Sequence, residues 1–535
     1  MKNLNNLPAD GLAGLKENWK TDALSGFLVF LLALPLSLGI AKASGFPAAM
    51  GVLTAIVGGM VVSIFAGSRL TIKGPAAGLI TVCAAACADL GSLGIEGVSG
   101  VQLACGAIVV MALIQVVFGL LKFGNYSEFF PHSVVHGMLA AIGLLIFAKQ
   151  FPILLGIPPE LTKGLSPIEL YGHIPSFIAH ANPKIALIGV SSLTIVFLLP
   201  AFGGFFKKIP APMAILLIMI PVGIIMHLNS DVAPDTGKTK FLVSIGDFWK
   251  EVKFNASFAA IGTGIFWKYV LMFLFVNSLE SLLTVKAIDG LDPFKRKSNY
   301  NKDLKALALG NGLSGLLGGL PMISEVARSA ANVNNGAKTR WANFFHGLFL
   351  FLAMLLLIPV IEMIPNAALA AMLIGVAYRL SAPKEFIGTY RIGPEQLLVF
   401  CTTIVVTIAE DLLMGVATGI VVKIIIHLFR GAPLNSIFKA SISVRHEKNN
   451  YLVSIKKSAL FSNYLGIKRR LMTIPTGANI TIDMRETRLI DFSVMDSLHH
   501  FKHDYDRNGG RVDIVELDEH RKASKHELSA RIRKI

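Results

Sequence analysis

Apolar runs long enough to cross a bilayer recur along the first four-fifths of the chain, separated by short polar breaks. The pattern predicts helical spans over about 23–41, 47–66, 101–121, 134–155, 184–202 and 211–228. A polar connection follows to about residue 262. The second half predicts spans over about 266–288, 304–320, 341–361, 395–411 and 413–429. Segments 70–88 and 367–378 are shorter or weaker, and 321–333 is too short and polar to span by itself. Together these make about fourteen segments, two of them irregular.

The irregular pair occupies matching places. AGSRLTIKGPAAGLITV (66–82) and GGLPMISEVARSAANV (318–333) are the third segments of the two halves. Each opens on a small-residue turn, continues as a short β-like stretch and becomes helix-compatible. Their offset of about 250 residues is close to that between the first spans of each half. Paired interrupted segments point to a transporter binding site. Non-helical backbone survives at membrane depth where protein buries it or where it lines a cavity.

After Arg430 the pattern changes. Residues 440–535 are charge-rich, and the strand-like runs YLVSIKK, ANITIDM and RVDIVEL alternate with the amphipathic helices LGIKRRLM and SVMDSLHHFKHDYDRN. This predicts a small α/β domain outside the membrane.

Composition agrees with a membrane protein. The 535 residues are 53% hydrophobic and 16% charged, against roughly a quarter charged in soluble domains. The polar, amphipathic start MKNLNNLPADGLAGLKENWK lacks the apolar core of a cleaved signal, so residues 1–22 are expected to be a cytoplasmic N-terminal segment and the first span to be retained. Cys83, Cys87, Cys105 and Cys401 all lie in apolar segments and read as small membrane-core residues, with no disulfide or metal framework. Basic residues at a membrane surface account for the net charge of +16 without nucleic acid as a partner. Lys207, Lys208, Lys295, Arg296, Lys297, Lys338, Arg340 and Arg430 fall on one side, whereas the short opposite loops carry Asp89, Glu96, Glu362, Glu410 and Asp411. The positive-inside rule then puts both termini in the cytoplasm and the chain in the cytoplasmic membrane as a multi-pass protein.

Four stretches carry a family resemblance: DALSGFLVFLLALPLSLGIAKASGFPAAMGVLTA (22–55), GSRLTIKGPAAGL (67–79), NSLESLLTVKAIDG (277–290) and LPMISEVARSAANVNNGAKTR (320–340). With the trailing domain they make the chain resemble sulfate permease (SulP) anion transporters that end in a STAS domain. The wording GPAAGL and ESLLT leans toward the bicarbonate-transporting branch. The resemblance implies a polytopic helical protein of seven plus seven inverted repeats, about 23–230 and 260–430, with core and gate parts and a STAS-like domain over 440–535. It also implies a homodimer, an elevator-like motion and regulation through a partner of the STAS domain. Ser493 lies near the turn that bears a phosphorylatable hydroxyl in related soluble regulators; the plainer reading is a helix N-cap serine.

Helices beginning near Gly74 and Glu325 would bring their N-termini together at mid-membrane, offering free N–H groups and partial positive charge to an oxyanion. Gly74, Ala76, Ala77, Ser324, Glu325, Arg328 and Ser329 are the candidate anion-binding residues, with Asn332 nearby. Arg328 matches a family arginine beside the anion site and is capable of bidentate contact; the bland alternative is a structural salt bridge to Glu325. Lys73 and Glu325 depart from the common family pattern, and an ion pair between them is expected to hold the two helix starts in register. The plainer reading has Lys73 reach a water-filled vestibule.

Glu280 and Thr284 stand one helical turn apart on one face. In the bicarbonate branch the matching pair is an aspartate and a threonine that bind sodium; glutamate occurs in branches thought to couple to protons. Glu280, Thr284 and Ser281 are therefore the candidate coupling-ion residues, for a proton or for sodium, with no resident metal or cofactor. A helix-packing role for Glu280 is the alternative. Pro35 is expected to break the first span, His132 and His136 to be structural, and NNGAKTR to stop a helix.

The resulting expectation is secondary active transport of a small inorganic oxyanion, bicarbonate or sulfate, across the lipid bilayer. The rivals are a passive anion channel and a nucleobase or dicarboxylate symporter of the same architecture. No nucleophile–base pair or closed metal set points to an enzyme.

Overall fold

The computed structural model describes residues 7–124, 131–162, 164–202, 210–231, 239–245, 248–507 and 509–533. Lys207 and Lys208, used above for orientation, lie outside them. Contacts divide the chain into two compact units, Met1–Asn125 with Ile142–Arg379 and Tyr126–Ala141 with Leu380–Ile535.

The first unit is a helical membrane fold. In chain order it contains α1 (Gly11–Ala43), α2 (Ala48–Ile56), β1 (Lys73–Pro75), α3 (Ile80–Gly91) and α4 (Gly100–Leu120). Helix α5 (His132–Leu154) starts in the second unit and ends in the first, followed by α6 (Pro183–Leu198) and α7 (Ala211–Ile225). Then come α8 (Gly264–Leu291), α9 (Tyr300–Leu316), β2 (Met322–Ser324), α10 (Val326–Asn334), α11 (Trp341–Leu356) and α12 (Asn366–Leu380). Among the described residues of the whole chain, seven helices are long and apolar enough to cross a membrane, and shorter apolar helices accompany them.

The two irregular segments meet. β1 pairs antiparallel with β2, setting Lys73 opposite Ser324 and Gly74 opposite Ile323. Backbone bonds outside the strands continue the crossing: Ala76 N donates to Pro321 O and Glu325 N to Ile72 O. Short strands fit here because each chain end gives the other the hydrogen-bond partners that a half-helix leaves open. α3 follows β1 through one 3₁₀ turn (Ala77–Leu79), and α10 follows β2 directly after Glu325.

Buried amides fix the ribbon. Asn277 on α8 donates to Met322 O (2.7 Å), and Asn311 on α9 accepts from Met322 N (2.7 Å). Gln115 on α4 joins them, donating to Asn277 Oδ1 and accepting from Asn311 Nδ2. Asn343 on α11 bridges Gly58 O and Lys73 N. Satisfied polar networks of this kind specify one geometry in an apolar interior. Beyond α2 the helix widens to π form over Val57–Val62, where Gly59 and Gly347 bring two backbones together; a Cβ on Gly59 would lie 2.5 Å from Gly347 Cα.

Two expectations about the N-terminal region change. α1 begins at Gly11, and Asp22 is buried, accepting from Lys338 N (2.8 Å), Thr339 N and Thr339 Oγ1 (2.5 Å). The predicted N-terminal segment 1–22 is thus partly the start of the first helix. Pro35 does not break that helix, which runs through it. The ring costs one backbone bond, but Ala33–Ala41 are all buried, so neighbouring helices hold the segment. NNGAKTR does stop a helix: Gly336 takes φ +86° and Ala337 N returns to Asn332 O.

The second unit includes α13 (Pro383–Ile392), the membrane hairpin α14 (Pro394–Ala409) and α15 (Leu412–Phe429), and a C-terminal sheet domain. That domain comprises β3 (Ser441–Glu447), β4 (Asn450–Ala459), α16 (Tyr464–Leu471), β5 (Asn479–Asp483) and β6 (Thr487–Ile490), then α17 (Phe492–Arg507), β7 (Arg511–Val515), β8 (His520–Lys522) and β9 (Arg531–Arg533). Strand order is β7-β5-β4-β6-β9-β8, with β3 paired antiparallel to β4. β4 pairs parallel with β5 and, past a register shift at Lys457, with β6. Alternation buries Val453, Ile455, Ile480 and Ile482 against Ile467 of α16 and Leu498 of α17. This is a sheet consistent with a STAS domain.

Lys423 of α15 meets Asp491 at 2.9 Å, both about 1% exposed, and also donates to Gln396 Oε1. His427 approaches the same carboxylate. Burial pushes the Asp491 carboxyl up, but the charges of Lys423 and His427 beside it outweigh that and hold it well below the usual carboxylate range. Asp491 precedes α17 and Ser493 lies inside it, so the N-cap reading of Ser493 is corrected; Ser493 Oγ accepts from His132 N instead (3.4 Å). His132 stacks on His136, whose Nδ1 lies 3.3 Å from Glu385.

Candidate functional site

The site is built around the β1–β2 crossing, within the first unit. α10 starts at Val326 with Glu325 in the N-cap position, yet the Glu325 carboxylate does not cap its own helix. Its Oε1 accepts, over a long 3.4 Å, from Ala77 N at the start of the opposite half-helix. Arg328 lies one turn into α10 and is 1% exposed. Its Nε, Nη1 and Nη2 are buried with no hydrogen-bond partner among the described residues. The guanidinium sits beside β1, since a Cβ on Gly74 would come 2.5 Å from Nη1.

A buried guanidinium is costly without a counter-charge that also accepts its hydrogen bonds. Glu325 is its nearest acidic neighbour in sequence, but its carboxylate is turned to Ala77. The arrangement therefore places fixed positive charge, five N–H donors and two helix starts beside the β1–β2 crossing. A planar or tetrahedral oxyanion matches that set.

α8 supplies the other half. Glu280 Oε2 and Thr284 Oγ1 are both buried and without a hydrogen-bond partner among the described residues. The carboxylate lies directly on the 3₁₀ turn before α3, where a methyl on Gly78 would overlap both of its oxygens. Gly78→Ala is expected to leave folding intact, because a flexible side-chain end can move aside, but to displace Glu280. The thermal midpoint and a structure of the variant check this.

Several expected ligands are otherwise engaged. Lys73 does not pair with Glu325: its Nζ meets Asp303 Oδ2 at 2.6 Å and Ser324 Oγ at 2.6 Å, with Thr71 at 2.9 Å. Asp303 also accepts from Ser68 Oγ and from the amides of Gly67 and Ser68. The reason is strand direction: Lys73 stands opposite Ser324, so its side chain turns away from Glu325 toward α9. Ser324 is thereby spent on Lys73. Ser329 Oγ accepts from Ile72 N (2.8 Å), and Asn332 holds Leu70 O and Ser25 Oγ. Ser281 Oγ accepts from Ser324 N, apart from the Glu280–Thr284 face. These hydroxyls and amides build the ribbon that aims the site. Ala76 N likewise serves the crossing, leaving Ala77 N facing Glu325.

One residue was missed from the sequence. His346 on α11 is fully buried, and neither ring nitrogen has a hydrogen-bond partner among the described residues. An ionisable side chain inside the apolar run FFHGLFLF was the available signal.

Residues 19–403 match the profile of the "Sulfate permease family". A Bacillus subtilis (strain 168) protein provisionally named as a sulfate transporter, YvdB, is 24% identical over 526 residues, covering 95% of this chain and 94% of that protein. The bicarbonate transporter BicA of Picosynechococcus sp. (strain ATCC 27264 / PCC 7002 / PR-6) is 23% identical over 78% of this chain and 72% of its own. Among solved structures, the transmembrane domain of a cyanobacterial BicA aligns with TM-score 0.64 at 22% identity, over 75% of this chain and 97% of that domain. The murine anion transporter Slc26a9 aligns with TM-score 0.66 at 14% identity, over 93% of this chain and 86% of that one. At these identities the structural matches establish the fold.

Proposed function

Because the chain belongs to the sulfate permease family of anion transporters, we propose that it is a secondary active transporter of a small inorganic oxyanion, bicarbonate or sulfate. The observation that carries this reading is the buried, unpartnered Arg328 guanidinium beside the starts of two half-helices. The anion binds Arg328 and the first-turn amides near Ala77 and Val326. Glu280 and Thr284, buried and unpartnered across the site, take the coupling proton or sodium ion. The named substrates of YvdB and BicA support sulfate and bicarbonate respectively. The ESLLT and GPAAGL stretches favour bicarbonate.

The family resemblance supports an elevator-like displacement of the site, a homodimer, both termini in the cytoplasm and the cytoplasmic membrane as location. Ser493 serves regulation, since it lies in the first turn of α17, two residues after Asp491, the ion-pair partner of Lys423 on α15. A passive anion channel shares the positive site but needs no coupling group. Glu280→Gln separates the two: the variant is expected to lose gradient-driven accumulation of radiolabelled sulfate or bicarbonate in proteoliposomes. Accumulation that persists at the wild-type level contradicts the coupling role.

A further inference from the structure

We propose that Glu325 is a tethered internal anion, which occupies part of the substrate's seat in the empty transporter and leaves it, taking up a proton, when the substrate enters. This rests on the anion-site reading above and adds a competitor to it.

Four observations carry it. Glu325 stands at the N-cap of α10 yet does not bond to its own helix; its carboxylate crosses to Ala77 N, 248 residues away in sequence. That amide belongs to the pair of helix starts that an incoming oxyanion would use. Arg328, three residues on, stays buried and unpartnered although Glu325 could have turned to it. Glu280 presses a second buried carboxylate oxygen, also unpartnered, against the next residue of the same turn, Gly78. One amide is thus already taken by an internal carboxylate, while the guanidinium waits.

The charges facing Glu325 decide what entry requires. α8 contributes Glu280 and α10 contributes Arg328, while His346 of α11 acts on Arg328. β1 contributes no charge, because Lys73 is bound to Asp303. Two carboxylates and one guanidinium leave the site short of positive charge for a further anion. In a buried space the three anions cannot all stay ionised around one arginine. The carboxylate that must move for the substrate to reach Ala77 N is Glu325, so its release and its protonation belong to one step. The proton comes from solvent and goes to a Glu325 oxygen, no bond being made to the substrate. Charge balance then favours uptake of the anion together with a proton at Glu325, independent of whichever ion Glu280 binds.

The test is the KM for uptake of radiolabelled sulfate and bicarbonate into proteoliposomes, measured against external pH for the full chain and for Glu325→Gln. In the wild-type protein KM should rise as pH rises. In Glu325→Gln that dependence should flatten to whatever Glu280 contributes and, at the alkaline end, KM should fall by about tenfold, the worth of one hydrogen bond to a charged group. Glu325→Asp, whose carboxylate is a methylene short of Ala77 N, should fall between the two. If Glu325→Gln does not assemble, Glu325→Ser removes the charge at smaller volume and is read in the same way. A KM whose pH dependence is undiminished without the carboxylate, or that rises on its removal, overturns the tethered-anion role while leaving the anion site standing. Wild-type protein with no saturable uptake of either anion overturns both.

Discussion

Arg328→Ala will abolish anion uptake, and Arg328→Lys will not restore it. Removing a hydrogen-bonded charge from a buried binding site costs roughly 2–5 kcal/mol, so uptake should fall by about a hundredfold or more. Lysine keeps the charge but offers a single point, without the planar fork that meets two oxyanion oxygens. Stability should move the other way. In the empty protein the guanidinium is 1% exposed and lacks any hydrogen-bond partner among the described residues, so its desolvation is offset only in part, by the nearby charge of Glu325. Arg328→Met should therefore raise the thermal midpoint of the detergent-solubilised protein while transport is lost. A structural salt bridge, the plainer reading of Arg328, predicts the opposite sign. Uptake and melting measured on the same preparations decide between them.

The second large effect lies at Lys73. Lys73→Met leaves Asp303 ionised, 2% exposed and without its cation, and should destabilise the protein by roughly 3–5 kcal/mol. Asp303→Asn should cost a similar amount by stranding the lysine. The double variant Lys73→Met/Asp303→Asn removes both charges, keeps an acceptor for Gly67 N and Ser68 N, and should recover most of the loss, because a buried pair contributes little net stability. Pairing Lys73→Met with Glu325→Gln should recover none of it. Melting curves of the two double variants test which acid is the partner, and recovery with Glu325→Gln would contradict the geometry described here. The expected loss is large because β1 and β2 meet at this pair: Lys73 reaches across the ribbon to Ser324 as well as to α9.

The spans were legible because bilayer length is a strong signal, and the broken segments were legible from their equal offset. Pairing within the ribbon was harder to see. Lys73 and Glu325 hold similar places in their segments, which made them look like partners. Strand alternation decides otherwise, and the true partner Asp303 sits in YNKDLKALALG, which reads as the ordinary polar start of a helix. Ser324 and Ser329 read as anion ligands, with Asn332 nearby, because hydroxyls and amides near a helix start suit one. Each instead holds backbone of the other broken segment or, for Ser324, the lysine. A sequence cannot say which donors a crossing will consume. Gln115, Asn277 and Asn311 were visible as amides inside apolar runs, and the rule that intramembrane polar groups need partners would have grouped them. In the C-terminal domain the alternating strands β4, β5 and β7 stood out. β8 and β9, three residues each, are too short to show a period.

Three of the candidate residues share one property. Arg328, Glu280 and Thr284 are buried with polar atoms that the protein itself leaves unpaired among the described residues. Such atoms also occur elsewhere in the chain, on Ser37, Ser192, Arg296 and Asn366 among others, and what sets Arg328 and Glu280 apart is that they lie against β1 and the turn that follows it.

The central claim is concentrative oxyanion transport, and the direct measurement is uptake of radiolabelled bicarbonate and of radiolabelled sulfate into proteoliposomes of the full chain, with inward proton and sodium gradients imposed in turn. The account predicts that at least one of the anions accumulates above its external concentration under one gradient, and that collapsing the gradient releases it. Flux of both anions that only ever equilibrates, whatever gradient is imposed, would contradict it.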